Sequence, residues 1–290
     1  MRYHLPAGLL LLLALFIVIL AVRGEIYSRS DAIAVSGVPE GGVAGEKSHG
    51  RMAGNPNPDI HELIDADEKF TYEVRYGFLR LGNVYVYLKG DTIHRGTEAV
   101  HMVTEMVSNR RIPLVGHREH RYHSFMAVND TMPYGLRFWH DSIHDERMER
   151  YLFDFDYEAG YVYSYEDGEL IDTLDLDQPA DGGPGVMYYS RLFAGTDQDR
   201  AYPIYIDHDQ SEVLMNFSSE SVSYNSKAFP DREIRAYTMD GYAGFDGPFG
   251  FSGEFTAYFM DDELRIPLEA RVSIWVGSVR VRLTEYERMN

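Results

Sequence analysis

Histidine and carboxylate side chains are the groups whose spacing in this chain could do chemistry. The densest case is VGHREHRYHSFMAV, residues 115–128, where His117, His120 and His123 recur at every third position. On a helix such imidazoles follow one another along one face and could supply two metal ligands. On a strand His117 and His123 share a face but stand about 20 Å apart, at about 3.3 Å per residue, while His120 points to the other side. Zinc takes three or four convergent ligands, and the H-E-x-x-H spacing is absent. As a strand, the segment binds no metal by itself, and His117 or His123 could do so only with ligands from neighbouring strands.

The remaining candidates read in the same way. His140 and His144, with Asp141 and Asp145, would make a helical chelate, yet Leu136, Phe138 and His140 alternate with Arg137 and Trp139 as on an amphipathic strand. Asp207 and Asp209 flank His208 in a segment with the character of a hairpin tip. Asp154, Asp156 and Glu158 resemble a calcium loop, but the glycine falls one position late. Asp172, Asp175, Asp177 and Asp181 read as solvated loop carboxylates. Ser252 in GFSGEF lacks the G-x-S-x-G frame, and GYAGFDGPFGFSG, with Tyr242, Phe245, Phe249 and Phe251, reads as a β-bend rather than a phosphate loop. No catalytic residue, cofactor motif or metal set is assigned. Two glycosidase carboxylates would leave no trace among 46 acidic residues.

The elements that position these groups are strands. KFTYEVRYGF alternates strictly, with Phe70, Tyr72, Val74, Tyr76 and Phe78 on one face. About a dozen similar segments follow, punctuated by Gly, Pro, Asp or Asn, with links too short for crossover helices, so the sheet is antiparallel. The exception is PGVMYYSRLFAG, residues 184–195, where Val186, Tyr189 and Phe193 recur at helical spacing and predict one helix of two to three turns packed on the sheet.

The N-terminal residues carry one early Arg2, an uncharged apolar run from Leu5 to Val22, then Arg23 and Gly24. This predicts a secretory leader or an N-terminal membrane anchor over residues 1–24, the run lying between a cleavable h-region of about 7–15 residues and a spanning helix of about 20. Residues 25–66, rich in Gly, Ser, Pro and Asn, predict a flexible linker, and residues 67–290 a single β domain. A net charge of −19 repels phosphate backbones and excludes nucleic acid as a partner. The absence of cysteine removes disulfides and thiolate chemistry.

FTYEVRYGFLRLGNVYVYL, YLFDFDYEAGYV, GVMYYSRLF and FTAYFMDDELRIPLEARVSIWVGSVRVRLTEYE, in this order, resemble a family of exported bacterial cell-envelope proteins known only as a domain of unknown function. That family begins with F-x-Y-x-V-x-[WY]-G and ends with a D-D-x-x-R-x-P turn before strands joined at G-S-V. The resemblance spans residues 67–290. It implies an antiparallel sheet curled into an open barrel or half-barrel around one short helix, similar to periplasmic lipoprotein-carrier folds. It brings no catalytic residues. Its motif positions here, Gly77, Gly82, Asp261, Asp262, Arg265, Pro267 and Gly277, are turns and core.

The resulting expectation is a non-enzymatic protein of the periplasm or cell envelope, anchored in the inner membrane if the leader is retained. Its curved sheet would bind a lipid or other amphiphile, or an envelope protein. The expected ligand-lining residues are Tyr72, Val74, Tyr76, Val272, Ile274 and Val281. Membrane contact is expected only through residues 5–22. The alternatives are an envelope hydrolase acting through Asp, Glu or His, and a membrane-tethered structural or assembly factor.

Overall fold

Alternation in KFTYEVRY sets the pattern for the whole sheet. Phe70, Tyr72 and Val74 of β1 (Glu68–Tyr76) turn to one face and are buried there. The computed structural model describes residues 56–110, 118–129, 132–144, 147–206, 209–247, 251–273 and 277–289. The expected leader and most of the expected linker, along with His117, His208 and Ile274, lie outside these residues.

The strands after β1 are β2 (Leu79–His94), β3 (Thr97–Ser108), β4 (Arg118–Val128), β5 (Pro133–His144), β6 (Arg147–Asp156), β7 (Tyr161–Glu166) and β8 (Glu169–Asp175). A helical segment separates these from β9 (Asp199–Ile206), β10 (Asp209–Tyr224), β11 (Ile234–Gly247), β12 (Phe251–Met260), β13 (Pro267–Ser273) and β14 (Ser278–Arg288). Among the described residues these strands pair antiparallel in one 14-stranded sheet of order β8-β7-β6-β5-β4-β3-β2-β1-β14-β13-β12-β11-β10-β9. Two meanders therefore meet along a single long-range ladder, β1 against β14. At its end the Met289 N–H donates to the Asp67 carbonyl at 2.8 Å. The mainly antiparallel, open architecture expected from the sequence is the one observed.

The sheet does not close on itself by a β8–β9 ladder. Residues 176–185 cross the gap as a strap instead. On one side Tyr205 N–H donates to Asp181 O (2.9 Å), and Asp181 forms a parallel bridge with Ile204. On the other, Gly135 N–H donates to Ala180 O (2.8 Å), which also accepts from the Tyr157 hydroxyl (3.2 Å). Such close passage needs glycine. A Cβ on Gly182 would sit 2.0 Å from the Phe138 ring, and one on Gly185 would sit 2.6 Å from the Tyr202 hydroxyl.

Apolar clusters and α-helical side chains occupy the interior among the described residues. One cluster packs Tyr189 and Ala194 against Tyr202, Ile204, Val213, Met215, Phe217, Met239 and Phe259. A second packs Phe138, Phe153, Phe155 and Val162 against Tyr205, Leu176 and Ala180. The expected helix forms, but as six residues continued by turns to Gly195 (φ +86°) rather than as two to three full turns. Helices are numbered α1 (Ile60–Asp65) and α2 (Val186–Arg191). Arg191 of α2 is fully buried; its Nη2 bonds Glu68 at 2.6 Å, and its Nε donates to Leu264 O at 2.9 Å. Carbonyls in the turns that follow α2 are bonded from outside: Arg265 Nε donates to Ala194 O, and Asn57 Nδ2 donates to Leu192 O.

Helix α1 departs from the linker expected up to residue 66. Asp59 and Glu62 form a reciprocal capping box, and Ile60 and Leu63 are buried. The folded unit accordingly begins at Pro56. The β7–β8 link is a tight turn through Asp167 (φ +48°) and Gly168 (φ +89°), whereas the β12–β13 link carries Arg265, at φ +51° and almost fully buried.

Candidate functional site

Register across β4 to β8 places one row of side chains on the face turned away from the core. His123 stands opposite Trp139, Trp139 opposite Leu152, Leu152 opposite Tyr165, and Tyr165 opposite Leu170. Their sequence neighbours Phe138, Phe153 and Ser164 are buried on the inner face, so alternation fixes the row as outward. Five strands at about 4.8 Å spacing make this apolar row about 19 Å long. Its first four members are half-buried by one another; Leu170, on the β8 edge, is 55% exposed.

Charged pairs flank the row on both sides. Asp154 binds Arg137 (2.9 Å), Arg95 (2.9 Å) and His94 Nε2 (3.0 Å), and Arg95 also bonds Asp156 at 2.9 Å. On the opposite flank Arg150 grips Asp141 through Nε (2.6 Å) and Nη2 (3.2 Å). His94 and Arg95 reach this face because the long β2–β3 hairpin changes register between Leu88 and Asp91, at Gly90 (φ +121°). The tip then brings His94 to 5.9 Å from the Phe125 ring.

At the β4 end of the row the histidines pair across strands. His101 Nε2 and His123 Nδ1 are 3.1 Å apart, and the His123 ring lies on Trp139 at 4.6 Å and 13°. His123 Nε2 faces Asp141 Oδ2 at 3.9 Å. Burial pulls His101 down from its ordinary pKa, and burial together with His101 pulls His123 down to about 4. On the inner face His120 Nδ1 and His140 Nε2 form a second pair at 3.0 Å, with His140 flat on Tyr122 at 4.3 Å and 7°. Among the described residues no three His, Asp or Glu side chains converge as a metal cage. The strand reading of residues 118–128 thus holds, with His120 and His123 each meeting a histidine from a neighbouring strand.

The ligand-lining residues expected from the sequence lie elsewhere. Tyr72, Val74 and Val272 are buried in packed interior, with the Tyr72 hydroxyl donating to Pro267 O at 3.0 Å. Tyr76 and Val281 are half-buried. Two carboxylates are buried, and for Asp181 this departs from the solvated reading. Asp154 is buried in the cation cluster described above. Asp181 is fully buried in the strap, where Ser124 Oγ donates to Oδ1 at 2.9 Å and Gly185 N–H donates to Oδ2. The flanking DGGPG run, which needs a fixed acceptor for its backbone donors, was the available signal for Asp181.

No family model matches the chain, and no curated protein matches it. Among solved structures it is similar to a beta-barrel-like protein of domain of unknown function DUF1849 from Brucella abortus. Identity is 15%, covering 82% of this chain and 100% of that one, with a TM-score of 0.49.

Proposed function

We propose that this is an exported, non-enzymatic binding protein of the cell envelope, and that its ligand is amphipathic and lies along the outer row from His123 to Leu170. The observation that carries this reading is the row itself. A solvent-facing sheet surface ordinarily alternates to polar residues, whereas here five successive strands present His123, Trp139, Leu152, Tyr165 and Leu170 in direct register between two charged flanks. An apolar stripe rimmed by fixed charge suits an extended molecule with an apolar body and polar substituents. The interior is a poor alternative, because α2 and the aromatic clusters occupy it. Export rests on the leader at residues 1–24.

The carboxylates beside the row are held as ion-pair partners, Asp141 by Arg150 and Asp154 by Arg137 and Arg95, which favours a positioning role over acid–base work. The test is native mass spectrometry and solvent extraction of protein purified from its own envelope. Wild type should carry a co-purifying amphiphile that Leu152→Ser and Tyr165→Ser each reduce at least tenfold. A protein without such a molecule, or one that both variants retain in full, would remove the outer row as the binding face.

A further inference from the structure

Arginines line up on strands that the amphipathic row does not cross. Arg80 stands opposite Arg75, Arg75 opposite Arg280, and Arg280 opposite Arg271, on the adjacent strands β2, β1, β14 and β13. Their neighbours Val74, Val279 and Val272 are buried on the inner face, so alternation turns the arginines outward. Like charges directly opposite one another destabilise a sheet. Here four follow in a line about 14 Å long, at about 4.8 Å per strand, in a chain of net charge −19. All four lie near the strand ends on the side of the β1–β2 turn. In that turn Phe78, expected on the buried face, is 76% exposed, and its carbonyl accepts a hydrogen bond from Arg75 Nη2 at 2.8 Å. We propose that this end of the sheet docks on an anionic phospholipid surface, with the arginine row at the phosphates and Phe78 in the interface.

The charge around the row is unbalanced. Glu73 serves Arg75 (3.2 Å), Arg80 (3.3 Å) and Lys227 (3.0 Å), while Glu269 serves Arg271 and Arg282 (2.9 Å to the latter). Arg280 is exposed, and among the described residues no carboxylate pairs with it. Six cations therefore share two carboxylates. Those carboxylates hold the side chains of Arg75, Arg80 and Arg271 in place, and Arg271 also lies over the Tyr258 ring at 4.7 Å. The row is thus set before any anion arrives, and a guanidinium can meet two phosphate oxygens with parallel hydrogen bonds. Beyond Arg271 the row passes to Thr256, whose hydroxyl donates to Asp240 at 2.7 Å, and the basic stretch stops there.

A second copy docking by the same face would set these cations against one another. An exposed aromatic side chain beside a group of cations is instead the arrangement that places an apolar group at the acyl boundary and positive charge among headgroups. The negative charge of the rest of the chain repels such a surface, but over only about 8 Å at physiological salt. Docking is therefore confined to the orientation that presents this end. The contact is additional to the one expected through residues 5–22, and it does not rest on the amphiphile-binding reading.

The chain has no cysteine, so Ser273→Cys takes a single nitroxide label two residues from Arg271 on the same face. The labelled full chain is reconstituted with vesicles of equal parts phosphatidylcholine and phosphatidylglycerol, and with vesicles of phosphatidylcholine alone. Protection of the label from a water-soluble nickel relaxant reads the docked fraction. The label should be protected on the anionic vesicles, exposed on the neutral ones, and released by high salt. Arg280→Gln should lower the ratio of docked to free about fivefold, and Phe78→Ser at least about tenfold, both with the unfolding midpoint of the parent chain. Leu152→Ser should leave the ratio unchanged, which separates docking from amphiphile binding. Equal protection on neutral vesicles, protection that survives both Arg280→Gln and Phe78→Ser, or loss on Leu152→Ser would overturn the proposal. So would a label exposed on both kinds of vesicle, including one that responds to soluble pyrophosphate instead.

Discussion

At the scale of single residues, the histidine pairs tie stability to proton concentration. His140 sits on Tyr122 beside His120; its burial and that neighbour pull its pKa down to about 4, with Asp141 opposing weakly. In the unfolded chain the same group titrates near 6.5. Between these values the unfolded chain binds a proton that the folded chain does not, so folding loses free energy as pH falls from about 6.5 to about 4 and no further below. The loss from this one group approaches ~3 kcal/mol. Urea unfolding at pH 7 and pH 4.5 checks it: His140→Gln should flatten the dependence by about one proton, and an unchanged slope would discard the account. None of these partnerships shows in local spacing. The three evenly spaced histidines of residues 115–128 are conspicuous in the sequence, but the contacts His120 and His123 make are with His140 and His101, some twenty residues away. Strand register supplies those contacts, and register follows from which face is buried.

At the scale of elements, strands were the most legible part. Alternation marks β1 through Phe70, Tyr72 and Val74, and turn residues separate the segments that follow. Helix α1 was missed because it is shorter than a helical pattern can establish, although Asp59 and Glu62 spelled its capping box in PDIHELID. Helix α2 was recognised, but not that it would carry an ion pair into the interior. Arg191 and Glu68 are both without solvent exposure, and Glu68 also accepts a hydrogen bond from Tyr286 at 2.7 Å. A buried guanidinium deprived of its carboxylate is costly, whereas an apolar replacement of the whole pair is much less so. Glu68→Ala should therefore destabilise the fold by about 3–5 kcal/mol, and Glu68→Leu combined with Arg191→Met should recover much of that loss. Denaturant midpoints of the single and double variants measure both; a single-variant effect under about 1 kcal/mol would show that the pair is dispensable.

At the scale of the whole molecule, the open antiparallel sheet was expected and the means of bridging its edges was not. The strap at residues 176–185 works through backbone bonds to Tyr205 and Gly135 and through the buried Asp181, none of which leaves an alternating pattern to read. The meeting of β1 and β14 in mid-sheet has a further consequence for chain connectivity. Every other ladder joins strands that are consecutive along the chain, so the slow entropic step in assembly is the closure that brings residue 68 to residue 288. Met289, near one end of the folded unit, already bonds Asp67, just after the helix α1 that lies at the other end. A circular permutant that links these ends and opens the chain after Thr196 would run β9 to β14 and then β1 to β8, an uninterrupted meander with no long-range ladder left to form. It should refold faster than the natural order in stopped-flow measurements, with stability within about 1–2 kcal/mol of it. Equal refolding rates would show that assembly is limited elsewhere. In the natural order, the polypeptide cannot complete its sheet until its last strand is available, and until then it remains two separate half-sheets, each with one unpaired central edge.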